Sequence, residues 1–92
     1  MRLNKLLDQA VAGAAVLDSQ GRASDAQLAR AMGVTPSMIS RWRSWAQPRN
    51  GNLARLRVLA QLHVDAAAVR AEAAARIQAI ATQAACELQR AA

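Results

Sequence analysis

Apolar residues recur at helical spacing through most of the chain, and the breaks between these stretches are marked by residues that stop or start helices. Leu3, Leu6, Leu7, Ala10, Val11 and Ala14 predict a first amphipathic helix over residues 3–16. The cluster Asp18-Ser-Gln-Gly21 ends it as a turn. Ser24-Asp-Ala-Gln27 then reads as a capping box, with Asp25 adding negative charge at the positive end of the helix dipole. Leu28, Ala29 and Met32 form the apolar stripe of this second, two-turn helix, and Gly33 supplies a left-handed residue to close it, with Val34 folding back onto it.

Thr35-Pro36 restarts a helix at once, Thr35 as N-cap and Pro36 at a first position where the missing N–H costs nothing. Ile39 and Trp42 face inward, flanked by Met38 and by Trp45, which is expected at the edge of the core or, alternatively, at a partner contact. Pro48 and Arg49-Asn-Gly-Asn52 stop this third helix, expected over Pro36 to Trp45. Leu53, Leu56, Leu59, Ala60 and Leu62 mark a fourth helix. Asp65 is placed to cap a fifth, from Ala66 to about Gln89, whose stripe is Val69, Ala73, Ile77, Ile80, Ala84 and Leu88. The pattern predicts an all-α protein: a compact four-helix domain over residues 1–64, then a long C-terminal helix over 65–92.

The junction of the second and third helices carries the functional expectation. A helix-turn-helix needs a small residue where two short helices approach, a left-handed turn residue, and apolar residues at their mutual contacts. Ala29 is the small residue, Gly33 makes the turn, and Leu28, Met32, Val34, Ile39 and Trp42 fill the contacts. With Ile39 and Trp42 inward, the opposite face of the third helix carries Ser37, Ser40, Arg41 and Ser44. Small hydroxyl side chains permit close approach to base edges, and one Arg can grip guanine through two hydrogen bonds.

Charge sharpens this picture. The 92 residues carry a net charge of +6. Between positions 22 and 57 seven arginines (22, 30, 41, 43, 49, 55 and 57) face one acid, Asp25, whereas the flanking segments are each balanced. A basic field over the middle third suits a polyanion such as nucleic acid. Cys86 and His63 are each alone, so no disulfide framework and no cysteine-based metal site is expected, and no cofactor. No catalytic grouping is evident, so an enzyme is not expected. Without a signal-peptide pattern or an apolar run of membrane-spanning length, a cytoplasmic protein is expected.

Residues 24–62 resemble the Cro/C1-type (XRE-like) helix-turn-helix regulators of phages and bacteria. The strings Leu3-Asn-Lys-Leu-Leu-Asp8, Ser24-Asp-x-Gln-Leu-Ala29 and Ile39-Ser-x-Trp-Arg43 are further similar to small phage- and prophage-encoded regulators. The resemblance implies a lambda-repressor-like domain whose third helix enters the major groove of double-stranded DNA. It would place Thr35, Pro36, Ser37, Ser40 and Arg41 at base- or groove-facing sites, and Gln27, Arg43, Ser44 and Arg49 at phosphates. Two positions depart from the family pattern. Pro36 cannot read a base by hydrogen bonding, so readout leans on Arg41; and Asp25 repels phosphate, so Gln27 or Arg22 must anchor the second helix. The implied function is a homodimeric transcriptional regulator, a repressor on a palindromic operator. An excisionase-like or architectural DNA-binding role is one alternative, and a helical adaptor for a protein partner is another. The thin apolar stripe of the last helix reads either as an exposed, partly frayed helical tail or as a surface for pairing with another helix, and pairing with a second copy is the expectation for it.

Overall fold

The computed structural model describes residues 2–91 as four helices, with no strand among them: α1 (Leu3–Leu17), α2 (Asp25–Met32), α3 (Pro36–Ser44) and α4 (Asn50–Ala91). Local chemistry accounts for most of the boundaries. Asp18 leaves α1 in an extended conformation, and its Oδ2 accepts from the N–H groups of Gln20 (3.2 Å) and Arg22 (2.8 Å), while Gly21 takes a positive φ of 68°. Ser24 Oγ accepts from Gln27 N–H at 3.0 Å and so starts α2. The reciprocal half of the capping box is not made: Gln27 Oε1 instead accepts from Arg30 Nη1 at 3.2 Å.

Gly33 closes α2 at φ 71°, with Val34 N–H donating to Ala29 O (3.0 Å) and Gly33 N–H to Arg30 O (3.3 Å). This paired pattern satisfies carbonyls that the helix end would otherwise leave open. Thr35 Oγ1 accepts from Met38 N–H at 3.3 Å, and Pro36 occupies the first turn of α3. Only Gly33, Val34 and Thr35 therefore separate two helices of 8 and 9 residues.

The C-terminal half differs from expectation. No break separates a fourth helix from a fifth: α4 runs unbroken for 42 residues. Asp65 caps nothing; its Oδ1 accepts from Gln61 Nε2 at 2.9 Å, one turn back in the same helix. The physical reason is that neither Gly nor Pro occurs after Gly51. One Asp inside a run of strong helix formers costs only about 0.7 kcal/mol relative to Ala, too little to interrupt it. The division expected at 64/65 thus falls inside a helix, and its outer limits, Met1 and Ala92, lie outside the described residues.

Each helix contributes one fully buried large side chain to the centre of the core: Leu7, Leu28, Ile39 and Leu56. Around them pack Leu6, Ala10, Ala14, Ala29, Met32, Trp42, Leu59 and Ala60. Burying each of the four central side chains contributes roughly 1.5–3 kcal/mol. Burial on α4 ends with Ala60, so only the first three turns of this helix belong to the core, and the remainder projects to give a molecule 65 × 25 × 19 Å in extent. No helix of the described residues is long and apolar enough to cross a membrane.

A very close approach lies between α1 and α4. A Cβ built on Gly13 would stand 1.8 Å from the carbonyl oxygen of Leu59, so the two backbones touch where only glycine fits. Gly51, at the exposed start of α4, has nothing within 4 Å of the same position. Replacing Gly13 by Ala should therefore cost about 1–3 kcal/mol or more through overpacking, while Gly51→Ala should be neutral or stabilise slightly. Thermal unfolding checks this: each kcal/mol lowers the midpoint of a domain of this size by roughly 4–8 °C. Equal midpoints for the two variants would contradict the contact.

Candidate nucleic-acid interface

The geometry of α3 follows from its two inward residues. Ile39 is fully buried and Trp42 is 6% exposed, which turns Pro36, Ser37, Ser40, Arg41 and Ser44 outward into solvent, with Thr35 exposed at the N-cap. Arg41 is the only cation on this outward face. Its Nε donates to Ser37 O at 3.4 Å, and no ion pair among the described residues occupies its guanidinium. Arg41 shares an open groove between the end of α3 and the start of α4 with Arg49, Trp45 and Asn52. Arg49 is exposed, and its carbonyl receives the N–H of Leu53 at 2.8 Å as α4 begins.

Arg43 takes a different place from the phosphate contact expected of it. Its Nε donates to Asp25 Oδ2 at 2.9 Å and its Nη2 to Asp25 Oδ1 at 2.8 Å, a two-pronged pair. Its remaining Nη1 reaches Asp8 Oδ1 at 3.0 Å. One guanidinium thus ties the C-terminal end of α3 to the first turn of α2 and to α1. The hydrogen bond to Asp25 is the main cause that holds Arg43 even more firmly protonated than an ordinary arginine, ahead of the opposing effect of partial burial. The same pair compensates the charge of Asp25, so this carboxylate does not stand unpartnered at the start of α2.

Trp45 also departs from its expected place at the core edge: it is 77% exposed. The residue leaves the helix with φ −155° and ψ −25°, and both Trp45 N–H and Ala46 N–H turn back to Arg41 O at 2.8 Å. That turn swings the indole outward beside Arg41 and Arg49. Helical spacing from Trp42 pointed it inward, and only the end of α3 at Ser44 reverses this.

The remaining candidates are dispersed. Gln27 is half-buried on α2 with its amide engaged by Arg30, and Arg22 lies exposed before α2, its Nη2 donating to Gln20 Oε1. Leu28, Ala29, Met32, Ile39 and Trp42 are brought together in the core, with Val34 packed against it and Gly33 in the turn. Val69, Ala73, Ile77, Ile80, Ala84 and Leu88 share the exposed part of α4. Cys86 is exposed there too, and not packed against another helix. No family model, curated protein or solved structure significantly matches the chain.

Two outcomes follow from this geometry. A double-mutant cycle with Arg43→Met and Asp25→Asn should give a coupling of about 1 kcal/mol in unfolding free energy, since the pair is two-pronged and partly shielded. Additive single effects would show that the pair contributes nothing. Acrylamide should quench the emission of Trp45 and spare that of Trp42, so Trp45→Phe should remove the quenchable component of the fluorescence; a quenchable signal that survives this change would contradict the exposure of the indole.

Proposed function

We propose that the chain is a sequence-specific double-stranded DNA-binding transcriptional regulator of the helix-turn-helix type. In this reading it is a cytoplasmic phage or prophage repressor that acts as a homodimer on a palindromic operator. The observation that carries the reading is the unit from Asp25 to Ser44: two short helices joined through a left-handed Gly33, with the second turning a small, hydroxyl-rich face and one unpaired arginine to solvent.

Such a helix fits the major groove because Ser37 and Ser40 keep the backbone close to base edges while Arg41 extends to guanine O6 and N7. Thr35 and Pro36 sit at the leading end of α3, where groove walls would be met first. Arg49, beside Arg41, and Ser44, at the trailing end, are placed to meet phosphates, with Gln27 and Arg22 as the candidates on the α2 side. Arg43 supports the reading indirectly, by fixing α3 against α2 and α1.

Selection of duplexes from a random pool by the purified protein should yield a defined half-site. Arg41→Ala should then weaken binding to it by roughly 5- to 150-fold, the equivalent of about 1–3 kcal/mol for a two-pronged base contact. Affinity should also fall steeply with salt, as phosphate contacts release counterions. Retention of full affinity by Arg41→Ala would overturn the assignment of base readout to α3.

A further inference from the structure

We infer that the projecting part of α4 pairs with the same helix of a second copy in antiparallel orientation, about a two-fold axis passing between Gln78 and Ala79. From Ala66 onward the residues of one face fall at Ala66, Val69, Ala73, Ile77, Ile80, Ala84, Leu88 and Ala91, in steps of 3, 4 and 4 that repeat every eleven residues. Eleven residues make about 3.67 per turn, close to the natural helix, so the stripe runs almost straight along α4 instead of winding around it. Its large members are bare: Val69 is 65%, Ile77 67%, Ile80 69% and Leu88 74% exposed. Four such side chains along one face of an exposed helix are a surface that needs a cover.

The order of sizes selects the arrangement. Read outward from the midpoint between Gln78 and Ala79, the stripe is the same in both directions: Ile77 and Ile80, then Ala73 and Ala84, then Val69 and Leu88, then Ala66 and Ala91. A two-fold axis at that point sets Ile77 of one copy beside Ile80 of the other, Ala73 against Ala84, and Val69 beside Leu88. Ala73 and Ala84 occupy the middle column of the stripe and let the two backbones approach closely, while the larger side chains on either side fold over the opposing helix. About 40 Å of helix is covered in this way.

Charge favours the antiparallel arrangement over a parallel one. Residues 1–64 carry nine basic and three acidic side chains, the whole net charge of +6, whereas residues 65–92 are balanced at three of each. Parallel pairing would set two strongly basic heads side by side. It would also bring Arg55, which lies on the stripe eleven residues before Ala66, against its own copy. Antiparallel pairing instead separates the heads by far more than the Debye length of about 8–10 Å. It also brings Asp65 of one copy near Arg90 of the other, twice, on one flank. Glu87 comes to the same flank beside Glu72, whose charge Arg76 already partners at 2.6 Å. The balanced charge of this segment gives an anionic surface little to attract, and the two-fold order of sizes along the stripe favours a second copy as the occupant.

The pairing does not depend on DNA binding, but one consequence of it rests on that reading. With the axis between Gln78 and Ala79, the core residues Leu56 of the two copies lie about 68 Å apart along the rod, at 1.5 Å per residue. That span matches about two helical turns of DNA, so the two half-sites should lie about two turns apart, not one.

Single cysteines test the orientation in the full chain, in a Cys86→Ala background. A short bismaleimide should join Ala73→Cys to Ala84→Cys when the two variants are mixed, and should leave each variant alone uncrosslinked. Antiparallel pairing holds like positions about 16 Å apart, whereas parallel pairing brings them face to face. Self-crosslinking of either variant alone would overturn the antiparallel axis. Sedimentation should show a dimer for the native chain and a monomer for Ile77→Glu/Ile80→Glu, a pair of exposed changes that spares the core. A monomeric native chain, or a dimer unaffected by that pair of changes, would sink the proposal. A native monomer that still bound duplex DNA through Arg41 would leave the DNA-binding reading standing by itself.

Discussion

The contact of two backbones at Gly13 and Leu59 is the constraint on which the rest of the head depends. It is where α1 lies down on α4, and the other buried residues of these helices (Leu6, Leu7, Ala10 and Ala14 on one, Leu56 and Ala60 on the other) sit within two turns of it. A side chain at position 13 would hold the helices apart and open the space that Leu7 and Leu56 fill. In a core this small and this rich in alanine, few other apolar contacts stand ready to compensate. The short helices α2 and α3 are then laid across the frame so formed, each with one fully buried anchor, Leu28 and Ile39.

A second, polar constraint fixes the angle of α3. Arg43 joins three helices through Asp25 and Asp8, which makes it a structural arginine within a segment otherwise rich in free ones. The work of the basic field is thereby divided. One arginine holds the unit together, and Arg41 and Arg49 remain open to solvent on its outer side. An arginine suits the first task because its planar fork satisfies both oxygens of one carboxylate while keeping a donor for another.

The parts of the fold legible in the sequence are those decided by neighbours along the chain. Ser24, Gly33, Thr35 and Pro36 act within four residues of where they stand, and the structure finds each at the helix end that its chemistry suggests. What was not legible depends on distant partners or on sums. Asp25 and Arg43 are 18 residues apart and Asp8 and Arg43 are 35 apart, so nothing local marks Arg43 as engaged. Gly13 lies unremarked in the middle of a helix until α4 arrives against it. Asp65 reads as a cap when taken alone, yet the helix propensity on both sides of it outweighs that signal. The outward turn of Trp45 is set by where α3 stops, a boundary that periodicity gives only within a residue or two.

The meeting of α1 with α4 has a consequence for the order in which the molecule comes into being. Helix α1, made before the other three, is seated by nearly the last stretch of the head to be synthesised, since Leu56, Leu59 and Ala60 follow both short helices. Until those residues have emerged, α1 can meet only α2 and α3, without the larger surface that α4 supplies to Leu7 and Ala10. The head should therefore assemble in one late step and not helix by helix, with an early apolar segment that waits for its partner. A nascent chain interrupted before α4 would be basic, helical in part and unfolded as a whole.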